Sequence, residues 1–295
     1  MQQHLTDPYG RSVTNLRISL TPRCNLKCSY CHREGEKKSG GEISKEDLRE
    51  IFRVAELYNI NSVKLTGGEP LMRKDLCEII SMIPENMQSS LTTNGTLLAD
   101  RAHELKEAGL SRVNISIDSL NPERYKEISG MDYLDKVLEG IDAAIREGLT
   151  PVKLNVVLLA GINDDEIEDF IEFAKSRDNL ILQFIELMDF SSGDCGGFDI
   201  NKLEDDLKSR SKTIITRRMH HRKKYCLEGA EIEIVKPMHN NEFCAHCNRL
   251  RITSDGFLKP CLLRNDNHID IRGKHGKELE DLFRAAVDAR EPFFN

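Results

Sequence analysis

Six of the nine cysteines in this 295-residue chain fall into two triplets, Cys24, Cys28 and Cys31, then Cys244, Cys247 and Cys261. The first has the spacing C-x3-C-x2-C within Cys24-Asn25-Leu26-Lys27-Cys28-Ser29-Tyr30-Cys31. Thiolates are soft ligands that suit zinc or iron–sulfur clusters. Three thiolates on a four-iron cluster leave one iron open to a small molecule, whereas a structural zinc closes with four ligands. Spacing alone leaves both readings open. His32 or a distant cysteine could complete a zinc knuckle at the first triplet, and His246 or His239 a zinc ribbon at the second. Directly after Cys247 runs Asn248-Arg249-Leu250-Arg251. On an extended segment Arg249 and Arg251 share a face beside the metal, and paired guanidiniums suit a phosphorylated or otherwise anionic substrate.

Composition narrows the setting. Clustered cysteines outside a secreted disulfide framework usually mean metal. Cys77, Cys195 and Cys226 stand alone, and Cys77 lies in a helical pattern as core. Net charge is −7, so a general nucleic-acid binder is not expected and any anionic ligand must be held by local basic residues. No apolar run approaches the ~20 residues of a membrane span. The start, Met1-Gln2-Gln3-His4-Leu5, has no basic segment followed by an apolar core, so a cytoplasmic protein is expected.

The elements that must position these groups alternate. Strands are predicted at 16–20, 62–66, 90–93, 112–117, 152–158 and 180–185. Amphipathic helices are predicted from Ser44, over 74–83, 100–107 and 134–146, and from Asp164 to about Ser176. Gly109 and Gly148 stand where helix-ending glycines belong, and Asn163-Asp164-Asp165-Glu166 reads as a capping box. Six strands alternating with helices predict an α/β fold with a parallel sheet, an incomplete (βα)6 TIM-like barrel. The strands also alternate apolar with polar. Arg17 and Ser19 interleave Leu16, Ile18 and Leu20; Lys64, Asn114, Ser116, Lys153 and Asn155 do the same in later strands. Period-two side chains point to opposite faces, so the polar sets should converge on the barrel interior. Ordinary barrels fill that space with Val, Ile and Leu; a polar one is suited to a ligand.

Past Glu186 the pattern changes. Residues 190–200 read as a mobile loop and 202–210 as a short helix. The run 211–225 holds six Lys or Arg and no acid, as befits a solvated face or a function. A strand follows at 231–235, a hairpin over 249–258 through Asp255-Gly256, and a last helix over 276–290. Two domains are expected, 1–190 as the barrel and 191–295 as a small C-terminal α+β region.

The first triplet, with Tyr30 before its last cysteine, resembles the radical S-adenosylmethionine (SAM) superfamily. So does Gly67-Gly68-Glu69-Pro70 after the second strand, whose glycines admit a ligand close to the backbone and whose Glu69 could accept from an ammonium. Within it the chain resembles the GTP 3′,8-cyclase family of molybdenum cofactor biosynthesis. The matching segments are Leu16-Arg17-Ile18-Ser19, Thr92-Thr93-Asn94-Gly95, Asn114-Ile115-Ser116-Ile117-Asp118, Phe184-Ile185-Glu186-Leu187-Met188 and the stretch from Phe243 to Cys261. The resemblance implies a 4Fe-4S cluster on Cys24, Cys28 and Cys31 that binds SAM, with Tyr30, Gly68, Ser116 and Met188 lining the SAM pocket. It implies a second 4Fe-4S cluster on Cys244, Cys247 and Cys261, in the C-terminal region, that meets GTP. Arg17, Lys64, Thr92, Lys153, Arg249, Leu250 and Arg251 would contact GTP, Arg249 and Arg251 also serving catalysis.

The implied reaction is that of a lyase. Reductive cleavage of SAM yields a radical that takes hydrogen from C3′ of GTP, and C3′ then bonds to C8. Implied partners are GTP, a cyclic pyranopterin monophosphate synthase downstream, a flavodoxin- or ferredoxin-type electron donor and a second copy in a homodimer, with no nucleic acid and no membrane. Bacterial members of that family end in a Gly-Gly tail that reaches the site. This sequence ends Glu291-Pro292-Phe293-Phe294-Asn295, so either the site closes differently or the tail is missing, and the basic run, through Arg217, Arg218 and Arg222, is a candidate substitute. The alternatives are a radical SAM peptide-maturing enzyme with an auxiliary cluster, and a non-catalytic zinc-binding module.

Overall fold

A single sheet of twelve strands carries the molecule, in the order β12-β11-β10-β1-β2-β3-β4-β5-β6-β9-β8-β7. In chain order these are β1 (Asn15–Ser19), β2 (Ser62–Thr66), β3 (Gln88–Thr93), β4 (Arg112–Ser116), β5 (Val152–Leu158) and β6 (Leu180–Glu186). Then come β7 (Thr213–Thr216), β8 (Lys223–Cys226), β9 (Glu231–Val235), β10 (Arg249–Ile252), β11 (Phe257–Lys259) and β12 (Ile269–Asp270). The helices are α1 (Lys45–Leu57), α2 (Leu76–Ser81), α3 (Ala102–Glu107), α4 (Pro122–Ser129), α5 (Leu134–Arg146), α6 (Ile167–Lys175), α7 (Ile200–Arg210), α8 (Asn241–Ala245) and α9 (Gly276–Asp288). This computed structural model describes residues 4–36, 41–188, 198–238 and 240–293. Most of the loop expected at 190–200, with Cys195 and His239, lies outside the described residues.

The six predicted strands form, in sequence order and parallel, with helices between them. This is the incomplete TIM-like barrel. Residues beyond 190 then add to both of its edges: β10 pairs parallel with β1 and β9 parallel with β6. Eight parallel strands result, with antiparallel β11–β12 and β8–β7 outside them. The apolar faces pack against the helices as one core. Leu16, Ile18, Val63, Leu65, Val113, Ile115, Leu154, Val156, Leu182 and Phe184 are all inaccessible to solvent.

Local sequence explains the helix ends. Ser44 caps α1 by accepting from the Asp47 N–H. Gly109 and Gly148 take φ of +99° and +71° where α3 and α5 stop. The capping box at 163–166 does not form. Asn163 turns inward to accept from Leu159 N and donate to Asp118 O and Val157 O. Glu166 accepts from Ser119 Oγ and Leu120 N. Buried backbone groups left over by the β4 and β5 loops outbid the helix terminus for these side chains. The sequence reading also passed over α4, whose Asn121 accepts from Glu123 and Arg124 N–H ahead of Pro122. Among the described residues no helix is long and apolar enough to cross a membrane.

Candidate active site

Strand polarity separates the two thiol sets. Cys24, Cys28 and Cys31 follow the C-terminal end of β1. Because β10 runs parallel to β1, Cys244 and Cys247, which precede it, sit at the opposite end. Antiparallel β11 then returns Cys261 to that same end. Five residues of β1 separate the two ends, about 17 Å at the rise of a strand.

Around the first set, Cys24 and Cys31 are exposed and Cys28 half-buried. Asn94, after β3, reaches Asn25 Oδ1 at 2.8 Å and lies 3.9 Å from Cys24 Sγ. Tyr30 donates to Asp118 after β4. Ser116 ends β4, and Met188 lies just beyond β6, at this same end of the sheet. Gly68 is needed for packing: a Cβ there would lie 2.2 Å from the Arg23 carbonyl oxygen. Gly68→Ala is therefore expected to displace the loop that leads into Cys24, at about the 1–3 kcal/mol of an overpacked site. Iron content at the first triplet measures this. Full loading of the variant would show that the loop yields without cost. Glu69 does not present its carboxylate to a ligand. Fully buried, it accepts from Leu71 N, Thr93 Oγ1 and Asn94 N at 2.7–3.0 Å, tying the β2 loop to the β3 loop.

Between the two ends lies the polar face. Burial drives Lys64 well below its usual range, and Arg17, Arg249, Lys153 and Arg222 push it further. Cations from β1, β2, β5, β10 and the β7–β8 connection thus converge on one interior. Two carboxylates answer them. Glu34 accepts from Arg17 Nε at 2.8 Å, Thr66 Oγ1 at 3.2 Å and Arg251 Nη1 at 3.3 Å. Burial would raise its carboxyl, but Arg17 and then Arg251 outweigh that and hold it far below the ordinary range. Glu233 on β9 accepts from Lys153 Nζ at 2.8 Å, from Gln183 Nε2 and from Arg217, with Arg222 at 3.6 Å. Even so, Thr92 Oγ1, Asn114 Oδ1 and Arg222 Nε are buried without a hydrogen-bond partner. Buried polar atoms left in that state are costly, and here they surround an interior suited to a polar, anionic guest.

At the second set, Cys247 lies near Arg249, Arg251 and Arg290. Burial raises its thiol, but Arg290, the Arg249 N–H and then the Arg249 and Arg251 guanidiniums outweigh burial and leave it below its ordinary value. Cys28 differs: burial, with Asp118 next, pushes its thiol up to about 12, so a metal there must take the place of a proton. Among the described residues, the trio of His, Cys, Asp or Glu ligand atoms that lies mutually within 4.8 Å is His221, Glu242 and His246; neither thiol triplet draws together that tightly. Sulfurs on a single zinc would sit about 3.8 Å apart, given Zn–S near 2.3 Å. The wider spacing fits a multi-iron cluster at either set, and at the second the surrounding arginines also favour thiolate ligands.

Of the residues expected to meet a nucleotide, Arg17, Lys64, Lys153, Arg249 and Arg251 come together, with Thr92 in the same interior. Leu250 does not. One residue out of phase with its arginine neighbours, its side chain lies in the hydrophobic core, fully buried, so only its backbone can meet a ligand. Arg217 and Arg222 of the basic run reach the interior, whereas Arg218 is exposed. Glu34 and Glu233 were missed. Glu233 carried a signal: a lone acid between Ile232 and Ile234, in phase with Glu231 and Val235 rather than with the apolar face.

The profile of the radical SAM superfamily matches residues 18–174, and that of Molybdenum Cofactor Synthesis C matches 180–295. The fold agrees. Streptococcus suis SuiB bound to S-adenosylmethionine superposes with a TM-score of 0.68 at 17% identity, over 92% of this chain and 64% of that one. Native anSMEcpe with bound AdoMet gives 0.65 at 20% identity, over 92% and 81%. These features define a radical SAM protein. Proteins named probable GTP 3′,8-cyclase are 51% identical in Methanocella arvoryzae, over 98% of this chain and 94% of that one, and 50% identical in Archaeoglobus fulgidus, over 98% and 99%. The chain belongs to the GTP 3′,8-cyclase family.

Proposed function

We propose that the chain is a GTP 3′,8-cyclase, a lyase that converts GTP to (8S)-3′,8-cyclo-7,8-dihydroguanosine 5′-triphosphate as the first step of molybdenum cofactor biosynthesis. The observation that carries this reading is the cationic interior set between two thiol triplets at opposite ends of the same parallel strands. Cys24, Cys28 and Cys31 would hold a 4Fe-4S cluster with SAM beside Tyr30, Gly68, Ser116 and Met188. Cys244, Cys247 and Cys261 would hold a second. When bound, the first cluster and SAM supply, with one electron, a carbon radical able to take hydrogen from an unactivated C–H bond.

The chain's own share is placement. A triphosphate carries about four negative charges at neutral pH, and Arg17, Lys64, Lys153, Arg222, Arg249 and Arg251 are arranged to meet them. Glu34 occupies part of that ground without a guest and holds Arg17 and Arg251 in line. Arg217 and Arg222 close the interior from the β7–β8 connection, the role first expected of the whole basic run. Burial of these cations between sheet and connection also keeps water from the reacting ribose, where electrostatic contacts then act at low dielectric. We take residues 1–190 as the radical-generating barrel and 191–295 as the region that supplies the second cluster and closes the interior. The proposal extends to the cytoplasm as location, a flavodoxin- or ferredoxin-type donor, a pterin-forming synthase as consumer of the product, and a homodimer.

Anaerobic reconstitution tests the reading. About eight irons per chain, from two four-iron clusters, and 5′-deoxyadenosine release that depends on GTP are expected. Four irons, or release indifferent to GTP, would overturn it.

A pH dependence follows from Lys153. Burial brings its ammonium down from an ordinary 10.5 to about 7, with Glu233 opposing and Arg217 and Arg222 assisting. Below that value it is charged in the free protein. Above it, GTP must bring in a proton, so affinity contributed by Lys153 falls as pH rises through 7, by up to tenfold per pH unit. Lys153→Arg keeps its charge throughout. The ratio of GTP dissociation constants, wild type over variant, should therefore climb between pH 6.5 and 8.5, the ionisation of GTP itself cancelling. A flat ratio would show that Lys153 does not titrate.

A further inference from the structure

The β7–β8 connection and the short helix that leads to Cys244 meet at a group of ligands that neither thiol set uses. His221 comes from the connection; Glu242 and His246 come from α8 and its C-terminal cap. One ligand atom of each lies within 4.8 Å of the other two. His221 Nδ1 is 2.9 Å from Glu242 Oε1, and His246 Nδ1 is 3.0 Å from the Glu242 carbonyl oxygen. The carbonyl can only accept, so in the neutral ring His246 Nδ1 is the protonated nitrogen and Nε2 the one free to ligate. That is the tautomer of a metal-ligating imidazole whose other nitrogen is held by an outer partner. The two imidazoles lie face to face, centroids 3.4 Å apart and planes 14° from parallel.

The backbone that brings His221 here is strained. His220 and His221 both have left-handed φ, +59° and +47°, a conformation costing roughly 1–2 kcal/mol per residue without glycine. Neighbouring contacts hold it. His220 N donates to the His246 carbonyl at 3.1 Å, and the His220 ring stacks on Phe243 at 3.7 Å. Strain maintained at a cluster of ligands is a mark of function.

We propose that His221, Glu242 and His246 bind one divalent ion of the zinc type, clasping the β7–β8 connection to the segment that carries Cys244 and Cys247. Two imidazoles and a carboxylate suit Zn²⁺, Co²⁺ or Ni²⁺ rather than Mg²⁺ or Ca²⁺. Ligand atoms on such an ion sit about 3.3 Å apart, given bonds of about 2.0–2.2 Å. The ligand atoms must therefore draw together from within 4.8 Å, the two rings separating as the ion enters. Water completes the shell, since Glu242 and His221 are at the surface, with side chains 68% and 39% exposed. The clasp fixes the segment that bears Arg217 and Arg222, and it stands independently of the reaction catalysed.

Zinc equilibrated with the iron-loaded protein, then counted per chain, tests this. The readout is the difference between wild type and His221→Ala, so zinc lodged on thiols, common to both, cancels. One extra zinc in the wild type is expected, with at least the roughly 10–100-fold weakening in the variant that loss of even an outer partner brings. Glu242→Gln should weaken binding too, and iron content should be equal in all three. Zinc should also slow proteolysis within 217–223 in the wild type alone. Equal zinc in wild type and His221→Ala would overturn the proposal, as would binding of Mg²⁺ with equal strength. Should His221→Ala fail to fold, cobalt absorption of the wild type decides: imidazole-ligated cobalt bands, unchanged when the thiols are already loaded with iron, support the site, and their absence removes it.

Discussion

Glu233→Ala is expected to lower the stability of the folded chain by about 3–5 kcal/mol, the cost of breaking a buried ion pair from one side. Glu233 is fully buried on β9 and answers Lys153, Arg217 and Arg222 together. Its removal leaves a lysine with a 9% exposed side chain and two guanidiniums facing each other across β5 and the β7–β8 connection. The two guanidiniums raise each other's energy, and Lys153, whose charge Glu233 helps to hold, is pushed further toward its neutral form. Glu233→Gln keeps an acceptor for Gln183 and Lys153 but no charge, so a smaller loss is expected. Chemical denaturation of the two variants measures both. A loss below 1 kcal/mol for alanine would mean that water enters and solvates the cations, and the interior would then be wetter than its burial indicates.

Cys244→Ala should separate making the radical from using it. The second triplet lies a strand length from the first, and the Asn94, Tyr30 and Asp118 contacts around the first come from the segments after β1, β3 and β4. The variant is expected to keep about four irons and to cleave SAM slowly, no longer stimulated by GTP, with cyclised product falling by several orders of magnitude. Loss of all iron would show that the two sites load as one. Product formed at the wild-type rate would remove the second triplet from the reaction.

How much of this the sequence disclosed depended on the range of the interaction. The six barrel strands were legible because Leu16-Arg17-Ile18 and its counterparts alternate within a few residues, and α1 because Ser44 precedes a 3.6-residue pattern. The lumen-facing Arg17, Lys64 and Lys153 followed from the same alternation. It equally indicated that Leu250 points away from Arg249 and Arg251, an implication overridden by the family resemblance. What stayed hidden was set by partners far apart in the chain. Nothing near Glu34 announces Arg251, 217 residues away. The strand at 231–235 was visible, but its docking beside β6, and that of β10 beside β1, depends on edges that local pattern does not describe. Strands β7 and β8 escaped because β7 is exposed throughout, so burial imposed no period on it.

The pairing of β1 with β10 also bears on how the chain reaches this state. Asn15 and Arg249 are 234 residues apart in the chain yet hydrogen-bonded in the fold. At about 5–20 residues per second, roughly 10–50 s separate emergence of the first strand from emergence of its outer neighbour. Throughout that interval β1 presents a margin of unpaired backbone N–H and C=O groups, the kind of edge that recruits foreign strands. The contact order is correspondingly high, so closure of the sheet is slow even once synthesis ends. Cys244, Cys247 and Cys261 take up their positions only with that closure, so a cluster held by them would be installed after one held by Cys24, Cys28 and Cys31.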